Sequence, residues 1–175
     1  MKNYVKLTVL LVLTCNLAAC TSVPPPAENA SNENVSELNY TKQFDDMLDK
    51  DWHLTEMRTG SETITIDRNE LAEKGFAGAF SLRFDAERIS GMGAPNRYFA
   101  PYTPADNQAI SIGMIAGTLM AAIIEPDVLK EHEYLALLQN VNRWDLADDK
   151  LELHSRSDNG TDTVLVFALT EYINN

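Results

Sequence analysis

The chain has 175 residues, 45% of them apolar and 23% charged, and its 26 acids against 14 bases give a net charge of −12. That length suits one folded domain, and that charge repels phosphate backbones and anionic headgroups, which excludes nucleic acid as a partner. A cationic protein or peptide is the macromolecule such a field attracts, although solubility alone also explains it.

Residues 1–19 carry Lys2 and Lys6, the apolar run Leu7–Leu13 and the small pair Ala18-Ala19. A positive start, a short apolar middle and a small-residue cleavage site make a secretory signal. Leu17-Ala18-Ala19-Cys20 resembles the bacterial lipobox, in which cleavage leaves the cysteine first and lipidated; Thr14 before Cys15 is too bulky for that role. Removing 1–19 takes away two lysines and no acid, so the mature chain carries −14. Cys15 leaves with the signal and Cys20 is acylated, so no thiol remains for a disulfide, a nucleophile or a metal. The seven-residue run is far short of the ~20 residues that span a bilayer, so membrane attachment rests on the lipid at Cys20. Thr21-Ser22 lack the aspartate of an inner-membrane retention signal, which favours the periplasmic face of an outer membrane if the cell has one.

Residues 20–37 follow as a lipidated, disordered tether, rich in proline, asparagine and acids, with Pro24-Pro25-Pro26 at its start. The 16 residues 21–36 reach ~55 Å when extended. Residues 38–175 form one domain without a repeat. A short helix is expected over 41–50, where Phe44, Met47 and Leu48 recur at helical spacing. Trp52–Met57 alternates as a half-buried strand, and Thr63–Ile66 makes another after the Gly60-Ser61 turn. Asp67 caps a brief helix with Glu70 in the capping-box position and Gly75 at its end. Phe80, Leu82 and Phe84 alternate as a strand that Arg88–Ser90 continues, and Gly91–Pro95 reads as a connection. Tyr98, Ala100 and Tyr102 share a strand face, with Pro101 demoting that strand to an edge or a bulge. Ile110 and Ile112 alternate, and Thr118–Ile124 reads as a further buried strand. Pro126 at a first helical position begins the one long helix, Pro126–Gln139, on which Tyr134, Leu137 and Leu138 recur with Val141. Trp144–Leu146 and Leu151–His154 flank an Asp148-Asp149 hairpin, Asn159-Gly160 is a second turn, and Val164–Leu169 is a central strand. Many short strands in meander order, with one inserted helix and one or two short ones, predict a mainly β fold: a small antiparallel barrel or strongly curled sheet.

Three segments at this order and separation carry a resemblance: Ile89–Tyr98 (ISGMGAPNRY) with Phe99-Ala-Pro-Tyr102, Thr118-Leu-Met-Ala-Ala122, and Glu131–Leu138 (EHEYLALL) leading into Leu151-Glu-Leu153. Together with Trp52-His-Leu54 they resemble the META-domain family, the HslJ-like heat-shock proteins of bacterial envelopes, over roughly Asp51–Ala168. The resemblance implies a calycin-like barrel, an association with stress tolerance, drug resistance, motility or virulence, and no catalytic residues. Ala122 stands where relatives often hold a cysteine, so thiol chemistry does not carry over, and the stretch Asp67–Gly78 is longer than in the simplest members.

Chemistry-bearing residues are few. His53, His132 and His154 lack metal-ligand spacing and read as solvated surface groups, so no metal and no cofactor are expected. Ser90 lacks a nucleophile elbow, and Gly91-x-Gly93 lacks the lysine of a phosphate loop. Met92, Met114 and Met120 read as core fillers. Asn96-Arg97-Tyr98 is either a binding patch or a structural one: asparagine shaping the turn after Pro95, arginine paired to an acid, tyrosine packed over the core. The expected function is that of a non-enzymatic, monomeric envelope lipoprotein in stress tolerance or envelope integrity. Alternatives are an acidic binder or inhibitor of a basic protein such as lysozyme, from the charge and a Ser90-Gly91…Tyr98 likeness to periplasmic lysozyme inhibitors, and a small-molecule carrier, from barrel shape.

Overall fold

A computed structural model describes residues 43–121, 124–147 and 149–169; the signal, Cys20, the tether, Ala122 and Asp148 lie outside the described residues. A helical turn at 43–45 leads into β1 (Trp52–Thr59), β2 (Glu62–Thr65) and α1 (Arg68–Glu73). Then come β3 (Ser81–Phe84), β4 (Arg88–Met92), β5 (Arg97–Ala105), β6 (Ala109–Ile112) and β7 (Ala116–Gly117). The chain closes with α2 (Glu131–Gln139), β8 (Val141–Ala147), β9 (Lys150–Arg156) and β10 (Asp162–Leu169).

Every sheet pairing is antiparallel, and the strands run β1-β3-β4-β5-β6-β8-β9-β10 and back to β1. This is a closed eight-strand barrel, with β2 added beside the second half of β1 and β7 beside the first half of β5. Closure is carried by β1 on β10, paired from Trp52↔Leu169 to Thr59↔Thr163 with a bulge between Leu54 and Glu56. Alternation sends Trp52, Leu54, Leu82, Phe84, Ile89, Tyr98, Trp144, Leu151, Leu153, Leu165 and Phe167 inward, where all are buried. Side chains therefore fill the barrel.

The two mouths are plugged differently. At the mouth of the β3–β4 turn, Phe44 stands on Phe84, Tyr102 and Trp144 with ring centroids 5.4–6.3 Å apart, and Trp52 Nε1 donates to the Met47 carbonyl at 3.1 Å. At the opposite mouth, beside the 93–96 turn, α2 inserts Tyr134 against Phe80 at 5.3 Å.

α1 starts where expected: Asp67 accepts from the amides of Asn69 and Glu70, and Gly75 beyond its end has φ +86°. Four expectations are corrected. α2 begins at Glu131 instead of Pro126, because Pro126 and Leu129 are buried against the barrel and Glu133 accepts the Lys130 amide; Val141 opens β8. Gly91 and Met92 belong to β4. Of the two readings of Pro101 the edge is corrected, since β5 is an interior strand, while the bulge is present. The Pro101 carbonyl accepts from Gly113, so its missing N–H faces the break between β6 and β7, where the neighbouring strand carries one extra residue. Finally, 118–121 and Ile124 lie outside any strand, and their side chains are exposed. The polar backbone of Met120 is satisfied there by the Asn96 side chain in place of a strand ladder.

Candidate functional site

The residues expected to form a patch do converge, but around a set of internal bonds. Tyr98 leaves β5 pointing into the barrel. Its hydroxyl donates to the Ser81 carbonyl at 2.8 Å and lies 3.0 Å from the Tyr134 hydroxyl, itself 3.1 Å from the same carbonyl. Burial, and then the neighbouring Tyr134, push the Tyr98 phenol well above its usual value; burial likewise raises Tyr134, against the opposing effects of Tyr98 and Arg68. Both remain neutral donors at physiological pH. Gly91 makes this possible. A β-carbon there would lie 2.0 Å from the Ser81 carbonyl oxygen and 2.7 Å from the Tyr98 hydroxyl.

Asn96 is the second centre. Its Oδ1 accepts from the Thr118 hydroxyl (2.8 Å) and the Met120 amide (2.7 Å), and its Nδ2 donates to the Met120 carbonyl (3.2 Å) and Glu131 Oε2 (2.8 Å). All four hydrogen-bonding positions of the amide are thus used. Glu131 in turn accepts from the Ala94 and Asn96 amides through Oε1, at 2.9 and 2.7 Å. A β-carbon at Gly93 would sit 2.3 Å from that oxygen. One carboxylate therefore ties the first turn of α2 to the 93–96 loop, and one amide ties that loop to 118–120.

Arg97 differs from its neighbours. Its side chain is exposed and forms no ion pair among the described residues, so the expected pairing to an acid is absent there. It edges a shallow groove on the outer face of β3–β5, where Arg83, Ser90 and Phe99 form one cross-strand row. Arg83 is held by Asp49 (3.1 Å) and Asp51 (3.3 Å), and Arg88 by Asp85 (3.2 Å), with its guanidinium 5.8 Å from the centre of the Phe99 ring. The groove lining contains no histidine or cysteine that could activate Ser90.

Two of the three histidines are engaged where solvated groups were expected. His53 Nδ1 lies 3.1 Å from Arg68 Nη2; a guanidinium only donates, so the imidazole is the acceptor and is neutral. Burial first, and Arg68 second, hold its pKa below 6.5, with Asp51 opposing. His154 meets Asp145 at 2.9 Å, and His132 is exposed. Arg68 itself is a buried cation that sequence reasoning missed, held by the Ala77 (2.7 Å) and Ala79 (2.8 Å) carbonyls. Nothing in its local sequence distinguishes it from a solvent-facing helix residue. The expectation for the methionines is also corrected: Met114 and Met120 face solvent, while Met47 and Met57 are in the core. Among the described residues no group of three or more His, Cys, Asp or Glu is placed to hold a metal ion.

Fold and site together define a small closed barrel whose most distinctive residues hold its own loops and helix in place. A family model described as META domain matches residues 45–169, and the chain belongs to the META domain family. An NMR structure of a protein from Burkholderia xenovorans is similar at a TM-score of 0.51 and 20% identity, over 88% of this chain and 99% of that one. A crystal structure of a duf4847 family protein from Bacteroides vulgatus gives 0.46 and 15%, over 70% of this chain and 93% of that one. The first of these likenesses concerns the fold alone. No curated protein matches the chain.

Proposed function

We propose that the protein is a membrane-anchored envelope lipoprotein whose META-type barrel is non-catalytic and serves envelope integrity under stress. The observation that carries the anchoring is Leu17-Ala18-Ala19-Cys20 behind a positive, apolar leader. The non-catalytic reading is supported by how the signature residues are used. Tyr98, Asn96, Glu131 and Tyr134 are engaged with one another and with the backbone, leaving none poised toward a substrate. A filled interior, with Trp52, Phe84, Tyr134, Trp144 and Phe167 fully buried, argues against a small-molecule carrier. Burial of the Tyr98 hydroxyl on the Ser81 carbonyl argues against its use in a lysozyme-inhibiting loop, and the acidic charge is the remaining support for binding a basic protein. The test is fractionation of cells expressing the full chain and Cys20→Ala. The wild type is expected with the membranes, and the variant soluble in the envelope fraction with reduced tolerance of envelope stress. A variant that still sediments with membranes overturns the anchoring.

A further inference from the structure

Six large apolar side chains are exposed among the described residues, and five of them lie on one strand and the segment beside it: Phe99, Met114, Leu119, Met120 and Ile124. Leu119 is 100% exposed, Met114 86% and Ile124 72%. Ala116 pairs with Phe99, and the Thr118 amide donates to the Arg97 carbonyl, so this segment extends the outer face of β5. Fraying does not account for the exposure. Gln139 grips the segment through the Ile112 and Gly113 carbonyls (2.9 Å each) and the Ile115 amide (3.1 Å), and Asn96 grips Met120 on both sides of its peptide. Two side-chain clasps hold the backbone while its large apolar side chains face water. Large apolar side chains held exposed on a bonded backbone, on an otherwise acidic protein, mark an interaction site.

Its place in the barrel narrows the occupant. Residues 43–48 enter at the mouth of the β3–β4 turn, where Phe44 packs on Phe84 and Leu48 bridges to it. Met120 is bonded to Asn96 in the β4–β5 turn, at the opposite mouth. The tether thus joins the barrel at the first mouth, and the apolar surface lies by the opposite one; this clause rests on the lipoprotein reading above. The chain's charge, −12 and −14 without residues 1–19, then selects among protein partners. Of the nearby arginines, Arg83 and Arg88 are neutralised by Asp49, Asp51 and Asp85, which leaves the exposed Arg97 as one cation against that charge.

We infer that the surface formed by Phe99, Met114, Leu119, Met120 and Ile124 docks a cationic amphipathic segment of another protein. Its apolar face covers these side chains, and the acidic field steers its approach.

The test uses the unlipidated mature chain (Cys20→Ser, without 1–19) and a fluorescent 18-residue helical peptide of leucine and lysine, read by anisotropy at low salt. Expected are saturable binding that weakens with added salt, and at least a tenfold weakening in Leu119→Ser/Met120→Ser with an unchanged circular dichroism spectrum. A leucine–glutamate peptide of the same pattern is expected not to bind. Equal binding by the double variant shows charge acting alone and overturns the docking surface, as does no binding at low salt. A third arm uses phosphatidylcholine vesicles. Vesicle binding lost in the double variant, with the lysine peptide unbound, assigns the surface to lipid and overturns the inference. None of these results bears on Cys20, whose role fails only if the Cys20→Ala chain stays with cell membranes.

Discussion

At Tyr98 a hydroxyl reaches the Ser81 carbonyl only because position 91 has no side chain. Tyr98→Phe removes one donor from a buried acceptor that Tyr134 also serves, and is expected to cost ~1 kcal/mol in chemical denaturation. Gly91→Ala drives a β-carbon into backbone oxygen and is expected to cost more, on the order of 2–3 kcal/mol. The reverse order would show that Tyr98 and Ser81 separate without loss. His53 sets a pH dependence. Its native pKa lies below the unfolded value of ~6.5, so between the two the unfolded chain binds the extra proton. The contribution is full above ~6.5 and is lost as the pH falls through the native value. Denaturation midpoints are therefore expected to fall between about pH 7.5 and 5.5, and His53→Gln to flatten that part of the fall; an unchanged slope in the variant removes His53 as the cause. Asp51 and Arg68 are the charged groups acting on this imidazole.

Among the elements, α2 depends on Glu131 more than on its own nine residues, because an isolated helix of that length is marginal in water. The carboxylate accepts three bonds from the 94–96 loop, so Glu131→Ala strands two amide donors and frees the helix start. The expected cost is ~2–3 kcal/mol, with faster hydrogen exchange at 94–96 and across the helix than in β9 or β10. Uniform acceleration would mean that the barrel and α2 open as one unit. Much of this level was legible from residue order. Alternation placed β3, a run apolar on both faces placed β10, and Asp67 with Gly75 bounded α1, since pattern and capping are local properties. Long-range bonds decided the rest. Thr118–Ile124 has the composition of a strand, yet Asn96, more than twenty residues earlier, supplies Met120's partners. Pro126 has the chemistry of a helix start, yet burial of Leu129 postpones the helix. The signature from Ser90 to Tyr98 was visible as a motif; that its glycines make room for Tyr98 and Glu131 appears only when β3 and α2 stand beside it.

For the whole molecule, net charge and closure work at different ranges. Charge acts over roughly a Debye length, ~8–10 Å at moderate salt, and biases which partners approach. Closure removes the open edges on which an eight-strand sheet would otherwise associate, leaving β2 as a short four-residue strand at the margin. Its register also places Trp52 directly beside Leu169, so the first and last strands of the barrel meet at one mouth. In connectivity the domain is a ring that happens to be cut there. Joining 169 to 52 through a short flexible linker and opening the chain at Asn159-Gly160, where the β9–β10 turn lies at the other mouth, should give a circular permutant that keeps the native circular dichroism. Loss of fold would mean that the segment 43–51, displaced by the new join, is needed to seal the barrel. A permutant that folds would carry its lipid tether at the opposite mouth of the same barrel.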